Sequence, residues 1–160
     1  FPQAMAQRFG AKLGLQAGAE APPALVEDLL TLLASEAVDF TIFWRRLSHW
    51  ARLQDPSNAS VHDLFVDRHA IANWLLAFSA LHPPEVRGLA SKRMLAANPK
   101  YVLRNHLGEL AIRAAVKKDF SLVANLLQVL QSPFDEHPQH QALADFAPDW
   151  AAGIEISCSS

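Results

Sequence analysis

Seven histidines and a single cysteine are the residues here whose types could ligate a metal or attack a substrate. His137 and His140, in SPFDEHPQHQ, are three apart, a spacing at which two imidazoles can share an ion. The segment is broken by proline, however, and offers neither an HExxH helix nor a Glu-x-x-His partner, so it reads as a surface loop. His62 and His69 flank Asp63 and Asp67, but Val61, Leu64, Phe65 and Ile71 interleave them, the pattern of a solvated helix edge. His49, His82 and His106 have no carboxylate four residues on, and surface or capping roles account for them. Cys158 stands in the terminal GIEISCSS and opens no helix that would lower its pKa, while Glu155 nearby acts in the opposite direction. Ile154 and Ile156 alternate with Glu155 and Ser157 at the period of an extended strand, which is stable only when docked on another surface. Burying both isoleucines supplies about 3–6 kcal/mol, before the entropy of ordering the tail is subtracted.

Other chemistries leave no trace. The sequence has no G-x-S-x-G elbow, and its six glycines never fall into a G-x-G turn of the kind that brings backbone N–H groups up to a phosphate. Asp39-Phe40, Asp119-Phe120 and Asp145-Phe146 are followed by Thr41, Ser121 and Ala147, so no Asp-Phe-Gly metal motif is formed. No complete active site can be assembled from these residues.

The elements that must position any site are helical. Apolar residues recur at helical spacing in Leu25, Leu29, Leu32 and Leu33, in Phe40, Phe43, Trp44 and Leu47, and in Leu122, Leu126, Leu127 and Leu130. Pro22-Pro23, Pro83-Pro84 and Asn98-Pro99 mark helix starts, Asp39 and either Asp119 or Ser121 can cap, and Ser60 with Asp63 makes a carboxylate version of the capping box. The expected helices are 3–14, 23–35, 39–53, 61–81, 84–97, 100–118 and 120–131, the last two antiparallel because their connection is short. Glycines 10, 14 and 18 read as a loose helix end, and the aromatic stripe ending at Trp50 reads as core. Trp150 is expected to pin the final loop. The fold class is all-α, a multi-helix bundle with one domain over 1–152 and an extended tail over 153–160.

With 160 residues the chain can bury roughly 70% of its unfolded surface. Its 51% apolar and 19% charged composition gives it more apolar surface to bury than usual. A net charge of −2, a pI near 6.4 and scattered basic pairs argue against nucleic acid. No apolar run reaches membrane-spanning length and no secretory signal is legible at Phe1, which points to a cytoplasmic protein with no membrane partner. A first residue of Phe rather than Met suggests sequence upstream of it.

MLAANPKYVLRNHL at 94–107, SPFDE at 132–136, PDWA at 148–151 and the final ISCSS resemble the C-terminal part of the selenoprotein O family, the YdiU-type protein adenylyltransferases. AKLGL at 11–15 and FWRRLS at 43–48 are compatible with it. The resemblance implies a parent protein with a protein-kinase-like fold that uses ATP and Mg (or Mn) to transfer AMP to Ser, Thr or Tyr hydroxyls. Its nucleotide and metal residues would lie upstream, so no catalytic, cofactor-binding or metal residue is carried onto this chain. Cys158 falls where some animal members carry selenocysteine, which implies a redox role for it, and any disulfide partner would lie outside these residues.

The expected partners are the N-terminal kinase-like portion of the same protein and the parent's protein substrates, with self-association through an exposed apolar face as an alternative cover. The rival reading is a free-standing helical adaptor that binds a partner protein. A native product beginning at Phe1, by intact mass, would favour the adaptor over the transferase. A metal-dependent helical hydrolase would require bound metal on elemental analysis.

Overall fold

In a computed structural model, residues 3–55 and 57–153 are described, and every regular element among them is helical. The α-helices are α1 (Gln3–Lys12), α2 (Pro23–Ser35), α3 (Phe40–Trp50), α4 (Arg68–Ala80), α5 (Arg87–Ala97), α6 (Asn105–Val116) and α7 (Ser121–Gln131). Short 3-10 turns occupy His62–Leu64, Pro84–Val86, Pro138–Ala144 and Asp149–Ala151. The protein is therefore all-α, as the periodicity predicts. Contacts divide it into two compact units at the Asn98–Pro99 junction, inside the 1–152 stretch read above as a single domain. The expected extended tail, with Ile154, Ile156 and Cys158, lies outside the described residues.

In the first unit α3 packs on α5, α2 on α4, and α1 on α5. The 3.6-residue period of α3 turns Phe43, Trp44 and Leu47 fully inward, while Phe40 at its start stays partly exposed. Phe43 sits at the centre, its ring 5.4 Å from Trp44, 5.8 Å from Phe65 and 6.1 Å from Trp74, all edge-on. Leu13, Val26, Leu29, Ile71, Phe78 and Met94 close the core around it. The Asp39 carboxylate accepts the Ile42 N–H at 2.9 Å and so caps α3, as its position suggests.

Most of the expected helices are shorter, and two of them start five or more residues late. The 61–81 stretch breaks before α4, because the Glu36 carboxylate accepts the N–H groups of Val66 and Asp67, and Asp67 then caps α4 by accepting from Ala70 at 2.9 Å. The Ser60–Asp63 capping box does not form: the Ser60 N–H donates to Asn58, and Asp63 pairs with Arg68 at 2.7 Å. In the second unit α6 begins at Asn105 rather than 100. α6 and α7 pack through Leu107, Ala111 and Leu126, and the four-residue connection between them makes an antiparallel hairpin. Asp119 accepts the Ser121 N–H at 3.0 Å at the entry to α7.

The glycines are more specific than a loose helix end. A Cβ on Gly10 would stand 2.1 Å from the Ala19 carbonyl oxygen. Gly14 has a φ of +78° and a Cβ there would lie 2.7 Å from the Ala90 oxygen, whereas Gly18, at +80°, faces open space. Gly18→Ala should therefore cost about 1 kcal/mol for the left-handed backbone alone, and Gly14→Ala about 3 kcal/mol once overpacking is added. Urea unfolding of the two variants checks the difference.

Candidate functional site

Three buried polar residues of the first unit, Ser48, Ser91 and Asn98, share one network. Asn98, at the C-terminal end of α5, is fully buried in an apolar surround, so its amide must be paired. Its Oδ1 accepts from Lys12 Nζ at 3.0 Å, and its Nδ2 donates to the Lys12 carbonyl at 3.0 Å and to Ser48 Oγ at 3.3 Å. Ser48 Oγ donates to Trp44 O at 2.7 Å, and Ser91 Oγ donates to Ser48 O at 2.7 Å. Arg45 Nη1 donates to the carbonyls of Leu95 and Asn98 at 3.2 and 3.1 Å, satisfying acceptors that the end of α5 leaves open. Lys12 lies 5.0 Å from the Trp44 ring and 5.2 Å from that of Phe40, and burial lowers its pKa.

Lys12, Trp44, Arg45, Ser48 and Asn98 belong to AKLGL, FWRRLS and NPKY, three stretches that are far apart in sequence and become one network in space.

A second polar assembly lies in the other unit. The Pro133 carbonyl accepts from the N–H groups of both Lys100 and Tyr101, at 2.8 and 3.1 Å. Tyr101 is buried, donates its hydroxyl to His137 O at 3.1 Å, and packs its ring edge-on against His137 at 5.1 Å. Lys100 pairs with Glu136. The NPKY and SPFDE motifs are thus held together by main-chain and side-chain bonds.

Ser132 Oγ lies 3.1 Å from His137 Nε2, a nucleophile-to-base distance. The same nitrogen is 3.0 Å from the Ser132 carbonyl, which can only accept, so Nε2 carries the proton and is no base for that hydroxyl.

Among the described residues no group of three or more His, Cys, Asp or Glu could hold a metal ion. His137 and His140 face different partners, His140 Nε2 lying 3.3 Å from Gln128 Oε1. His69 is exposed beside the Asp63–Arg68 pair, consistent with a solvated edge. The surface role assigned to His82 and His106 is corrected: both are buried. His82 Nε2 donates to Leu13 O at 2.7 Å under the edge of Phe78, and His106 packs against the half-exposed Trp150 at 6.2 Å. No carboxylate neighbour hints at either in the sequence, because the partners are a distant carbonyl and distant rings. Cys158, the redox candidate, lies outside the described residues.

Two of the glycines are closed to a phosphate. The space beside Gly10 is filled by Ala19 O and that beside Gly14 by Ala90 O and Met94, so neither glycine leaves a cradle for phosphate.

Comparison with known proteins gives the chain a family. A family model described as protein adenylyltransferase SelO matches residues 1–131. The chain belongs to the SelO family. It is 54% identical over its whole length to a protein nucleotidyltransferase YdiU from Variovorax paradoxus, covering 32% of that protein. It is also 54% identical to one from Albidiferax ferrireducens, covering 33%, and 45% identical to one from Cupriavidus metallidurans, covering 30%. This SelO-family chain thus spans about a third of the length of the curated relatives it matches.

Two predictions follow from the geometry. Asn98→Ala leaves Lys12 O, Lys12 Nζ and Ser48 without their shared partner and should cost about 2–4 kcal/mol by chemical denaturation, against about 1 kcal/mol for Ser91→Ala. The pKa of His82 is lowered, chiefly by burial, then by Arg87 and Arg93, against the raising effect of its bond to Leu13 O. Below about pH 6.5 the unfolded state therefore binds a proton that the folded state refuses, and stability falls as pH falls through that window. His82→Gln keeps a donor without titrating. It should flatten the fall between pH 7.5 and 5.5 in urea midpoints, leaving the part due to His106, whose pKa is lowered by burial and Arg104.

Proposed function

We propose that this chain is the C-terminal helical region of a protein adenylyltransferase that transfers AMP from ATP to Ser, Thr or Tyr hydroxyls of proteins. Its role there is structural and regulatory, backing a protein-kinase-like portion that holds ATP and Mg (or Mn). The observation that carries the reading is the match of the SelO family to residues 1–131 by a chain spanning about a third of its relatives. The polar assemblies support it, because the residues that carry the resemblance are engaged in holding helices rather than a nucleotide.

An unpartnered apolar face supports it as well. Ile112 and Val116 on α6, Phe120 in the connection, and Val123 and Leu127 on α7 are all exposed, the two residues of each helix four apart and so on one face of it. In this reading the kinase-like portion covers that face, and self-association through it is the alternative cover. The protein works in the cytoplasm; no helix among the described residues is long and apolar enough to cross a membrane. Cys158 is the redox-responsive group, its disulfide taking the second sulfur from outside this chain, which has one cysteine.

Calorimetry should detect no Mg-ATP binding to the 160 residues alone, whereas the longer protein should incorporate labelled AMP into protein substrates. Tight binding by the 160 residues overturns the reading. In the longer protein, Cys158→Ser should leave transfer under reducing conditions unchanged and abolish its response to oxidant.

A further inference from the structure

Packing does not require a glycine at Gly88, the second residue of α5. Its φ is not in the left-handed region, and a Cβ added there meets nothing within 4 Å among the described residues. Alanine would fit and would hold the helix better. Gly10 and Gly14 are closed by their neighbours, whereas Gly88 lines a cleft of about 500 Å³. The cleft lies between the C-terminal end of α3, with His49 and Arg52, and α5, with Gly88, Ser91, Lys92 and Leu95.

Its charge is one-sided. Arg52 and Lys92 come from its two walls and are exposed, and among the described residues neither side chain has an ion-pair or hydrogen-bond partner. No carboxylate lines the cleft, in a chain whose net charge is −2. Cations at the end of α3 suit that helix's dipole, which accounts for His49 and Arg52. It accounts neither for Lys92, midway along α5, nor for the glycine one turn before it. Ser91 is buried and its hydroxyl already donates to Ser48 O, so the floor beneath these groups is fixed.

Two cations without counter-ions, set on two helices, call for an anion that both can reach. A carboxylate carries one charge in one plane. A phosphate group carries about −1.5 to −2 at pH 7 and directs its oxygens to several sides, so the guanidinium fork takes two of them and the ammonium another. The missing side chain at Gly88 lets such a group sit low against α5.

We propose that the cleft between the end of α3 and α5 binds a phosphate group, free or as a monoester, held between Arg52 and Lys92 over Gly88. Mg-ATP, whose outer phosphates the metal already neutralises, is not its ligand. The site is independent of AMP transfer.

The test titrates the 160-residue chain, labelled with nitrogen-15, with inorganic phosphate and with phenyl phosphate at constant ionic strength, sodium chloride being the control. The Arg52 side-chain N–H and the Gly88 and Lys92 main-chain signals should shift saturably with phosphate and not with chloride. Tighter binding of phenyl phosphate assigns a monoester with its body on Leu95; otherwise the free ion is the ligand. Arg52→Gln combined with Lys92→Gln should weaken binding about tenfold or more, while Lys117→Gln, on the other unit, should leave it unchanged. Gly88→Ala should raise the Tm and weaken binding several-fold. Equal shifts with chloride, binding retained by the Arg52–Lys92 double variant, or undiminished binding by Gly88→Ala each overturns the proposal.

Discussion

The pairing of the Asn98 amide is the constraint on which the first unit depends. A fully buried amide without partners would be strongly unfavourable, and every partner it has comes from another helix: the main chain and ammonium of Lys12 on α1, and Ser48 on α3. Because Asn98 itself closes α5, one side chain sets the mutual placement of three helices that apolar packing alone would hold less specifically. Arg45 reinforces the same corner by neutralising the carbonyl end of α5, and the stack of Lys12 over Trp44 links this polar corner to the aromatic core.

The chain is held on both sides of Pro99. Asn98 is committed to the first unit and Lys100 and Tyr101 to the second, where one carbonyl, that of Pro133, receives both of their N–H groups. An asparagine, a lysine and a tyrosine within four residues thereby each hold main chain or side chains of their own unit.

Local chemistry was legible in the sequence and long-range hydrogen bonding was not. Helical periodicity, the Asp39 cap and the Pro22-Pro23 start depend on residues within one or two turns, and they read correctly. The helices expected over 61–81 and 100–118 were too long because Glu36, thirty residues from Val66, and Pro133, thirty-three from Lys100, draw away N–H groups that a helix would otherwise use. The burial of His82 has the same origin, since Leu13 is sixty-nine residues away. Gln54 could not be recognised at all: only the fold shows that its amide is enclosed and its backbone left-handed.

The surplus of apolar residues in the composition is unevenly disposed of. In the first unit it goes into a continuous core that runs from Phe9 to Met94. In the second, the hairpin core consists of Leu107, Ala111 and Leu126 with Leu122, Leu130 and Leu143 packed on it, while Ile112, Val116, Phe120, Val123 and Leu127 face outward. The helix pair thus carries about as many large apolar side chains on its outer face as on its inner one. Solvation alone would have selected charged residues there, as it did at Glu109 and Arg113, which pair at 2.7 Å on the same α6. The amphipathic pattern of α6 and α7 therefore gives the hairpin two apolar faces, one buried within it and one left exposed.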